Sequence, residues 1–386
     1  MKTIVVFHPS CELYGADRIL VNALQSFPKN KLKIVYLLKD GPLIEYIEQN
    51  VKNVLIVIQP KMPIFYQALF SIKGVFKCLT SYWSFEKWFR NEHQKHQFDL
   101  AYVNTLSCFF LLRTLKKLKV RSFVHVHEII ERPKLAAWTM ANFVNKYSDY
   151  IVCVSKATEN SLARIVPGIS SKSYCIHNGI PSILADEKEV HGRLTFYLFG
   201  RITPKKGQWY LIEALSQIPR VTLEKSKFVI VGGTPLGKEH LLESLAEKIK
   251  EAGLESVVSM KGFCNDIRTE MNKADVCIVP SLMNGSFPIA VLEAMSAEKP
   301  VIVTKNSGAA EMITDGSNGF LIPPNDSNQF AQVLIEMIES KSRVKEMGMK
   351  AKEVFENKFT LERFQSNWRA IHRQNRRVNY RITDPK

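Results

Sequence analysis

Short apolar segments with strand character alternate with helical segments along this chain, and this alternation limits its fold more than any other feature. A chain that returns repeatedly to a parallel strand needs a crossover each time, so the pattern favours parallel sheets with helices on both faces. We therefore expect an α/β fold. Strands are predicted at residues 3–7, 32–38, 54–58, 100–104, 122–126, 150–154, 194–199, 228–231, 257–261, 276–279 and 301–304.

The chain is long enough for two domains, because 386 residues exceed the size of one ordinary hydrophobic core. Each half contains enough strand–helix units for a Rossmann-like domain. A polar segment at residues 183–192 separates the halves. We place the boundary in this segment, with residues 1–188 in the first domain and 189–359 in the second.

The loop after the strand at residues 194–199 carries two cations between glycines. Arg201 and Lys206 lie five residues apart, and a helix is predicted to begin near Gly207. Positive side chains beside a helix N-terminus favour phosphate binding, because the first N–H groups of a helix lack partners. Two solvated surface charges are the alternative, and this loop alone does not exclude them.

A second pattern lies further along the same half. Residues 280–295 read Pro-Ser-Leu-Met-Asn-Gly-Ser-Phe-Pro-Ile-Ala-Val-Leu-Glu-Ala-Met, followed by Pro-Val-Ile-Val at 300–303 and Ser-Gly-Ala-Ala-Glu at 307–311. Together with the Gly-Arg-x-x-x-x-Lys-Gly loop at 200–207, this pattern resembles the donor half of retaining glycosyltransferases of family four. The resemblance is specific because two separate motifs occur in the expected order.

The resemblance implies the GT-B architecture, in which two Rossmann-like domains face each other across a cleft. It also implies that the last helix, at residues 360–380, packs back on the first domain. Arg201 and Lys206 would act catalytically on the diphosphate of a nucleotide diphosphate sugar, which is the donor substrate. No cofactor is expected. The sequence has no Asp-x-Asp pair suited to a metal-bound nucleotide, so the reaction is expected to be metal-independent.

Two histidines and a glutamate end the β-rich run at residues 122–128. His127 matches by position the family's histidine that touches the donor sugar, and the resemblance gives it a catalytic role. His125 lies two residues earlier on the same strand face, so a structural role with satisfied hydrogen bonds is expected. These residues and Glu128 also suggest a metal site, but no further ligand at convincing spacing accompanies them. No metal is expected.

The first β–α loop, Ser-Cys-Glu-Leu-Tyr-Gly-Ala-Asp at residues 10–17, resembles the family's Gly-Gly-Ala-Glu turn. Tyr14 stands in place of the first glycine, and Asp17 stands in place of the glutamate. A glycine lets the backbone approach a ligand closely, so Gly15 is a candidate for binding the donor. An ordinary β–α turn is the alternative.

Glu293 is expected to open the helix after Phe-Pro, where the family uses a glutamate to bind the ribose hydroxyls of the nucleotide. A carboxylate suits this role because it can accept two hydrogen bonds, and a solvated carboxylate at a helix start is the alternative. The family's other glutamate, eight residues earlier, is replaced here by Gly285. Donor contacts are then expected from the following neighbours: Asn284, Ser286 and the backbone amides of Phe287 and Ile289.

The net charge of +16 is concentrated in the first half and the carboxyl-terminal tail, since residues 1–200 hold 26 Lys and Arg against 15 Asp and Glu. An anionic membrane surface is therefore a candidate partner. An apolar stripe flanked by lysines could lie in such an interface or pack as a core helix. Its members are Met62, Phe65, Leu69, Ile72, Phe76, Leu79 and Trp83. No nucleic acid is expected, because no strand interleaves aromatic and basic side chains.

The seven cysteines are scattered without metal-type or disulfide-type spacing, which favours a reducing compartment. The apolar amino terminus is short and interrupted by His8 and Pro9, so no signal peptide is expected. No run approaches the ~20 apolar residues that span a bilayer. We expect a cytoplasmic protein with peripheral contact at the inner face of the cell membrane.

These features predict a retaining glycosyltransferase of the hexosyltransferase type. It would move a sugar from a nucleotide diphosphate to an acceptor hydroxyl of a cell-surface glycan or a lipid-linked acceptor. The replacement at Gly285 leaves open a non-catalytic sugar-nucleotide-binding partner or sensor protein of the same fold. An epimerase or a phosphorylase of this architecture is a further alternative.

Overall fold

The computed structural model describes residues 3–64, 72–183, 192–264 and 266–374, without the side chains of residues 72–79 and 374. The chain divides into two compact units. The first unit is Met1–Gly179 with Leu361–Lys386, and the second unit is Ile180–Thr360. The boundary predicted at residues 188 and 189 lies outside the described residues.

Strands and helices alternate through both units. In chain order they are β1 (Thr3–Phe7), α1 (Gly15–Leu24), β2 (Lys33–Leu37), α2 (Leu43–Asn50), β3 (Val54–Ile58), α3 (Ile72–His96), β4 (Phe98–Val103), α4 (Leu111–Lys117), β5 (Arg121–Val126), α5 (Lys134–Tyr147), β6 (Tyr150–Cys153), α6 (Lys156–Ile165), β7 (Ser173–Cys175), β8 (Leu194–Phe199), α7 (Gln208–Leu215), α8 (Arg220–Leu223), β9 (Ser226–Val231), α9 (His240–Glu251), β10 (Val258–Lys261), α10 (Ile267–Lys273), β11 (Val276–Val279), α11 (Ile289–Ser296), β12 (Val301–Thr304), β13 (Gly319–Ile322), α12 (Ser327–Glu339), α13 (Lys341–Lys358) and α14 (Leu361–Gln374). Short 3-10 turns occupy Leu106–Cys108, Pro167–Lys172, Pro204–Lys206 and Gly308–Glu311.

Each unit is built on one parallel sheet. The first unit has seven strands in the order β3-β2-β1-β4-β5-β6-β7, and the second has six in the order β10-β9-β8-β11-β12-β13. Both orders reverse direction beside the first strand of the unit, as in Rossmann domains. The central strands are buried along their length, which explains their nearly continuous apolar sequences. The expected pair of Rossmann-like domains is therefore confirmed.

All eleven predicted strands are present, with ends within two residues of the predicted ends. Two edge strands were not predicted from the sequence. Strand β7 has only three residues, and β13 begins at Gly319, a residue type that usually interrupts strands. A Cβ on Gly319 would lie 2.3 Å from the Val301 carbonyl oxygen, so the close pairing with β12 requires glycine here.

Helix α14 packs on the first unit, where it contacts α1. Trp368 at its centre is fully buried, with its ring 5.4 Å from that of Tyr102 and 5.1 Å from that of His125. Large aromatic side chains bury much apolar area, so this residue is the principal anchor of the helix. Helix α14 thereby covers part of one face of the amino-terminal sheet.

None of the helices within the described residues is long and apolar enough to cross a bilayer. Most of the apolar stripe predicted for residues 62–83 lies outside the residues and side chains that the structure describes. At its two ends, Met62 is buried, whereas Trp83 is 68% exposed.

Candidate functional site

The loop after β8 carries both predicted cations on a backbone fixed from several sides. The Ile202 N–H donates to the Gly233 carbonyl at 2.9 Å, which ties the loop to the segment after β9. The Leu282 N–H donates to the Lys205 carbonyl at 3.0 Å, which ties it to the segment after β11. Backbone pairing on both sides therefore holds the loop at the carboxyl edge of the sheet.

Gly207 is required where this loop turns into α7. Its φ is +85°, in the left-handed region that favours glycine. A Cβ at this position would lie 2.0 Å from the Pro280 carbonyl oxygen. The glycine therefore allows the cationic loop and the segment after β11 to approach each other closely.

Arg201 and Lys206 project from this fixed backbone, and both are exposed. Gln208, which is fully buried, donates from Nε2 to the Arg201 carbonyl at 3.0 Å. Desolvation, followed by repulsion from Arg201, lowers the pKa of Lys206. No carboxylate of the described residues forms an ion pair with Lys206. Two neighbouring cations that repel each other favour a dianionic ligand.

The segment after β11 meets the segment after β12. The Gly308 N–H donates to the Gly285 carbonyl at 2.8 Å, and Thr304 Oγ1 donates to the Ser281 carbonyl at 2.6 Å. The segments after β9, β8, β11 and β12 thus form one connected group of loops. They follow four adjacent strands, as expected for a ligand site of an open α/β sheet.

The four residues predicted to replace the missing glutamate's contacts occupy this group of loops. Asn284 and Ser286 are half-buried beside Gly285. Phe287 is buried, and its ring lies 5.7 Å from that of Phe359, so its side chain belongs to the core. Ile289 is also buried and is the first residue of α11. Only the backbone of these two apolar residues can serve a ligand.

Glu293 does not open the helix, and this prediction was wrong. Helix α11 begins at Ile289, and Glu293 lies in its second turn with 4% of its surface exposed. The helix begins earlier in the chain than predicted, directly after the Phe-Pro pair, because proline is tolerated just before the first helical turn. The solvated-carboxylate alternative is also wrong, since the side chain is buried.

Gly285 could accept a side chain. Its φ is not in the left-handed region, and an added Cβ would lie 3.6 Å from Ser307 Cβ, an ordinary van der Waals contact. The backbone therefore does not demand glycine at this position. The fold would therefore accept a side chain at position 285, and the missing glutamate is not explained by a steric constraint.

In the first unit, Gly15 is the first residue of α1 and is partly exposed. Its φ is not positive, so the local backbone does not require glycine. The turn before it is held by Asp17, which accepts the Tyr14 N–H at 2.9 Å. Asp17 is buried and also pairs with His8, whose Nε2 lies 2.6 Å from Asp17 Oδ1.

His127 directly follows β5 and is partly exposed. Its Nε2 lies 2.9 Å from Asn104 Oδ1, and its backbone N–H donates to Glu128 at 3.1 Å. Desolvation, with a smaller contribution from His8, lowers the pKa of His127 to about 3. The imidazole is therefore neutral at physiological pH and can exchange hydrogen bonds with a sugar.

His125 is fully buried, as expected, but only one of its ring nitrogens is satisfied. Its Nδ1 lies 2.6 Å from the Tyr102 hydroxyl, whereas its Nε2 has no partner among the described residues. Glu128 accepts hydrogen bonds from the Thr105 hydroxyl, from the Leu106 N–H and from the His127 N–H. It shapes the loop beside His127.

The sequence did not identify His8 or Asn104 as site residues, although both are buried and linked to His127. Asn104 bonds to the His127 ring directly, and His8 bonds to Asn104. One signal was available. His8 and Asn104 each directly follow a predicted strand or end it, where ligand-facing residues of parallel sheets lie.

The sequence matches known families over both units. Residues 180–354 match the model for glycosyl transferases group 1, and residues 15–182 match that for glycosyltransferase family 4. An uncharacterized glycosyltransferase of Methanocaldococcus jannaschii is 31% identical over 229 residues, which cover 59% of this chain and 60% of the relative. The putative glycosyltransferase EpsD of Bacillus subtilis is 35% identical, over 38% of this chain and 37% of the relative. This chain thus spans less than two thirds of either relative.

A longer match extends over most of the chain. The Escherichia coli UDP-Gal:alpha-D-GlcNAc-diphosphoundecaprenol alpha-1,3-galactosyltransferase is 26% identical, over 85% of this chain and 86% of the relative. Among solved structures, Anabaena HepE in complex with UDP and glucose has a TM-score of 0.81 at 22% identity, covering 98% of this chain and 100% of HepE. Sucrose-phosphate synthase from Thermosynechococcus elongatus has a TM-score of 0.76 at 17% identity, covering 98% of this chain and 100% of the synthase. These structures share the fold.

Proposed function

The chain belongs to the family 4, group 1 glycosyltransferases, and from this premise we propose that it is a retaining enzyme that uses a nucleotide diphosphate sugar. One observation carries the proposal. Arg201 and Lys206 extend from a loop whose backbone is fixed on both sides, and no described carboxylate neutralises Lys206. This charge pair suits a diphosphate better than any other group of a sugar nucleotide.

The proposed reaction needs no group beyond the substrates and this chain. The bond between the anomeric carbon and the diphosphate breaks, and the acceptor hydroxyl bonds to the same carbon on the same face. The acceptor proton passes to the leaving phosphate oxygen. Arg201 and Lys206 stabilise the negative charge that develops on the diphosphate, and His127 binds the sugar. No metal is proposed.

Lys206→Ala tests the proposal against a neighbouring control. We expect UDP, GDP or ADP sugars to raise the melting temperature of the wild type, because a ligand bound only by the folded state stabilises it. Lys206→Ala should weaken binding about 10- to 100-fold, since a charge-assisted hydrogen bond contributes roughly 1.5–3 kcal/mol. Lys205→Ala removes an exposed cation one residue away and should leave binding nearly unchanged.

Equal losses of donor affinity in the two lysine variants would mean that binding depends only on overall positive charge. Lys206 would then not be a specific ligand of the diphosphate. No shift with any donor in the wild type would contradict the proposed donor class. Isothermal titration with UDP alone separates binding of the diphosphate from binding of the sugar.

We further propose that the acceptor belongs to a cell-surface glycan or to a lipid-linked precursor. The Escherichia coli relative acts on a diphosphoundecaprenol-linked sugar. An excess of positive charge in residues 1–200 would favour an anionic membrane surface, consistent with a cytoplasmic protein that is peripheral to the inner face of the membrane. Flotation with vesicles that contain or lack anionic lipid tests this location.

The alternative of a non-catalytic sugar-nucleotide-binding protein rests on Gly285. Because a Cβ fits at this position, Gly285→Glu should fold and should restore the carboxylate typical of the family. If the natural chain binds donors but transfers no sugar to any acceptor, and Gly285→Glu gains turnover, the non-catalytic alternative is favoured. If the natural chain already turns over, the alternative is excluded.

A further inference from the structure

Three polar residues meet where adjacent strands of the first unit end. His8 directly follows β1, Asn104 directly follows β4 and His127 directly follows β5. These three strands are neighbours in the sheet, so their ends bring the side chains together. Asn104 is in the middle, with Nδ2 3.2 Å from His8 Nδ1 and Oδ1 2.9 Å from His127 Nε2.

The orientation of the Asn104 amide is fixed by an independent partner. Its Nδ2 lies 3.4 Å from the Ala16 carbonyl oxygen, which can only accept a hydrogen bond. The atom that faces Ala16 must therefore be the NH2 group. Its Oδ1 also accepts a hydrogen bond from the Tyr102 hydroxyl at 2.8 Å. The positions of the amide oxygen and nitrogen of Asn104 are thus both fixed by their hydrogen-bond partners.

This orientation fixes the protons on the two histidines around it. Asn104 Oδ1 is an acceptor, so the nitrogen of His127 that faces it must carry hydrogen, and this nitrogen is Nε2. Since the Tyr102 hydroxyl donates to Asn104, it accepts from His125, so His125 carries its hydrogen on Nδ1. Two histidines on one strand face therefore hold opposite tautomers.

The other end of the network anchors it to the first loop. Asn104 Nδ2 lies 3.2 Å from His8 Nδ1, and His8 Nε2 lies 2.6 Å from Asp17 Oδ1. Asp17 also holds the Tyr14 N–H immediately before Gly15. The ring of His125 lies 4.1 Å from that of His127, and Glu128 accepts the His127 N–H. Asn104 connects His127 to Tyr102, to His8 and, through His8, to Asp17, so the first loop is linked to His127 through buried hydrogen bonds.

We propose that Asn104 is a positioning residue that holds neutral His127 as its Nε2–H tautomer and so presents the Nδ1 lone pair to a hydroxyl of the donor sugar. No described residue donates to this Nδ1, and His127 keeps part of its surface in solvent. A lone pair accepts from a hydroxyl and repels a carboxylate. The site therefore selects a neutral sugar over a uronic acid at this contact. The choice of ligand rests on the proposed function, whereas the tautomer does not.

The tautomers of His125 and His127 can be measured in the protein without a bound donor sugar. Long-range 1H–15N correlation spectra of 15N-histidine-labelled protein distinguish protonated from unprotonated ring nitrogens, and loss of signals in His127→Gln and His125→Gln assigns them. Between pH 6 and 8 we expect His127 as the Nε2–H form and His125 as the Nδ1–H form. The Nδ1–H form of His127, or a rapid exchange between both forms in the wild type, would overturn the proposal even if every Asn104 variant failed to fold.

Two substitutions then test Asn104 itself. Asn104→Ala should give His127 a mixture of tautomers, and Asn104→Asp should raise the pKa of His127, because a carboxylate stabilises the imidazolium. Asn142→Ala is the control, since Asn142 makes a single side-chain bond to the Trp138 carbonyl at 2.9 Å on α5. Unchanged His127 signals in a folded Asn104→Ala protein would contradict the positioning role.

Activity gives a second readout. Asn104→Ala should lower kcat/KM for the neutral sugar donor about 10-fold or more, as expected for one misoriented hydrogen bond, while the Kd for UDP stays unchanged. In wild type, a uronic acid donor should be a poorer substrate than its neutral counterpart, and equal use of both would contradict the selectivity. Failure of wild type to bind UDP would count against the proposed function and not against the tautomer.

Discussion

We expect His372 to make the stability of the first unit depend on pH. Its ring lies on α14, 4.3 Å from the ring of Phe27 and 5.2 Å from that of Phe123. Its Nε2 is buried without a partner among the described residues. Desolvation, followed by repulsion from Lys31, lowers the pKa of His372 from 6.5 to about 4. The folded state therefore favours the neutral ring.

The sign and size of the effect follow from linkage. Because the folded pKa lies below the unfolded pKa, the contribution is complete above pH 6.5 and is lost as the pH falls towards 4. At pH 5 nearly all unfolded chains carry the proton on this histidine, but only about a tenth of folded chains do. His372 should therefore reduce the free energy of unfolding by about 2 kcal/mol between pH 8 and pH 5.

His372→Phe isolates this contribution, because phenylalanine keeps an aromatic ring and cannot titrate. Urea unfolding can be followed by tryptophan fluorescence, since four of the five tryptophans lie in the first unit. We expect the wild type to lose about 2 kcal/mol more than His372→Phe between pH 8 and pH 5. Contributions from His125 and His127 are present in both proteins and cancel in the difference.

His240→Phe serves as the control, because His240 is exposed at the start of α9 in the second unit. This variant should keep the pH dependence of the wild type. If His372→Phe shows the same loss as wild type between pH 8 and pH 5, the imidazole is not held neutral by burial and the reasoning fails.

Two further substitutions test the packing of each unit. Trp368→Ala should destabilise the first unit by about 3–5 kcal/mol, as expected for a fully buried aromatic residue. A loss below about 1 kcal/mol in urea unfolding would show that this ring does not anchor α14. Gly207→Ala places a Cβ 2.0 Å from the Pro280 carbonyl oxygen at a φ of +85°, so the cationic loop must move. It should destabilise the second unit by about 1–3 kcal/mol in a thermal melt and weaken UDP binding, and an unchanged UDP affinity would show that the loop geometry is not needed.

The strands could be predicted because their residues must be apolar wherever both faces of a parallel sheet are covered. This explains why β1, β8, β11 and β12 were placed correctly from local pattern alone. The cations Arg201 and Lys206 were also visible, because a glycine-bounded loop between a strand and a helix is a local feature. By contrast, the start of α11 was predicted too late in the chain. The apolar pattern alone does not mark a helix start, and the helix begins directly after Pro288.

The contacts around His127 required the tertiary structure. His8, Asn104 and His127 are far apart in sequence, and only the neighbour order β1-β4-β5 brings their strand ends together. The pattern of a strand shows that it is buried but not which strands lie beside it.

The amino-acid sequence by itself therefore determined the α/β class, the two Rossmann-like sheets and the cationic loop, because strand burial, helix periodicity and glycine turns are short-range properties. The tertiary structure decided which buried polar groups meet and which nitrogen of His127 carries the proton. A hydrogen-bond network depends on distances between chain segments, and these distances are set by which strands and helices pack side by side.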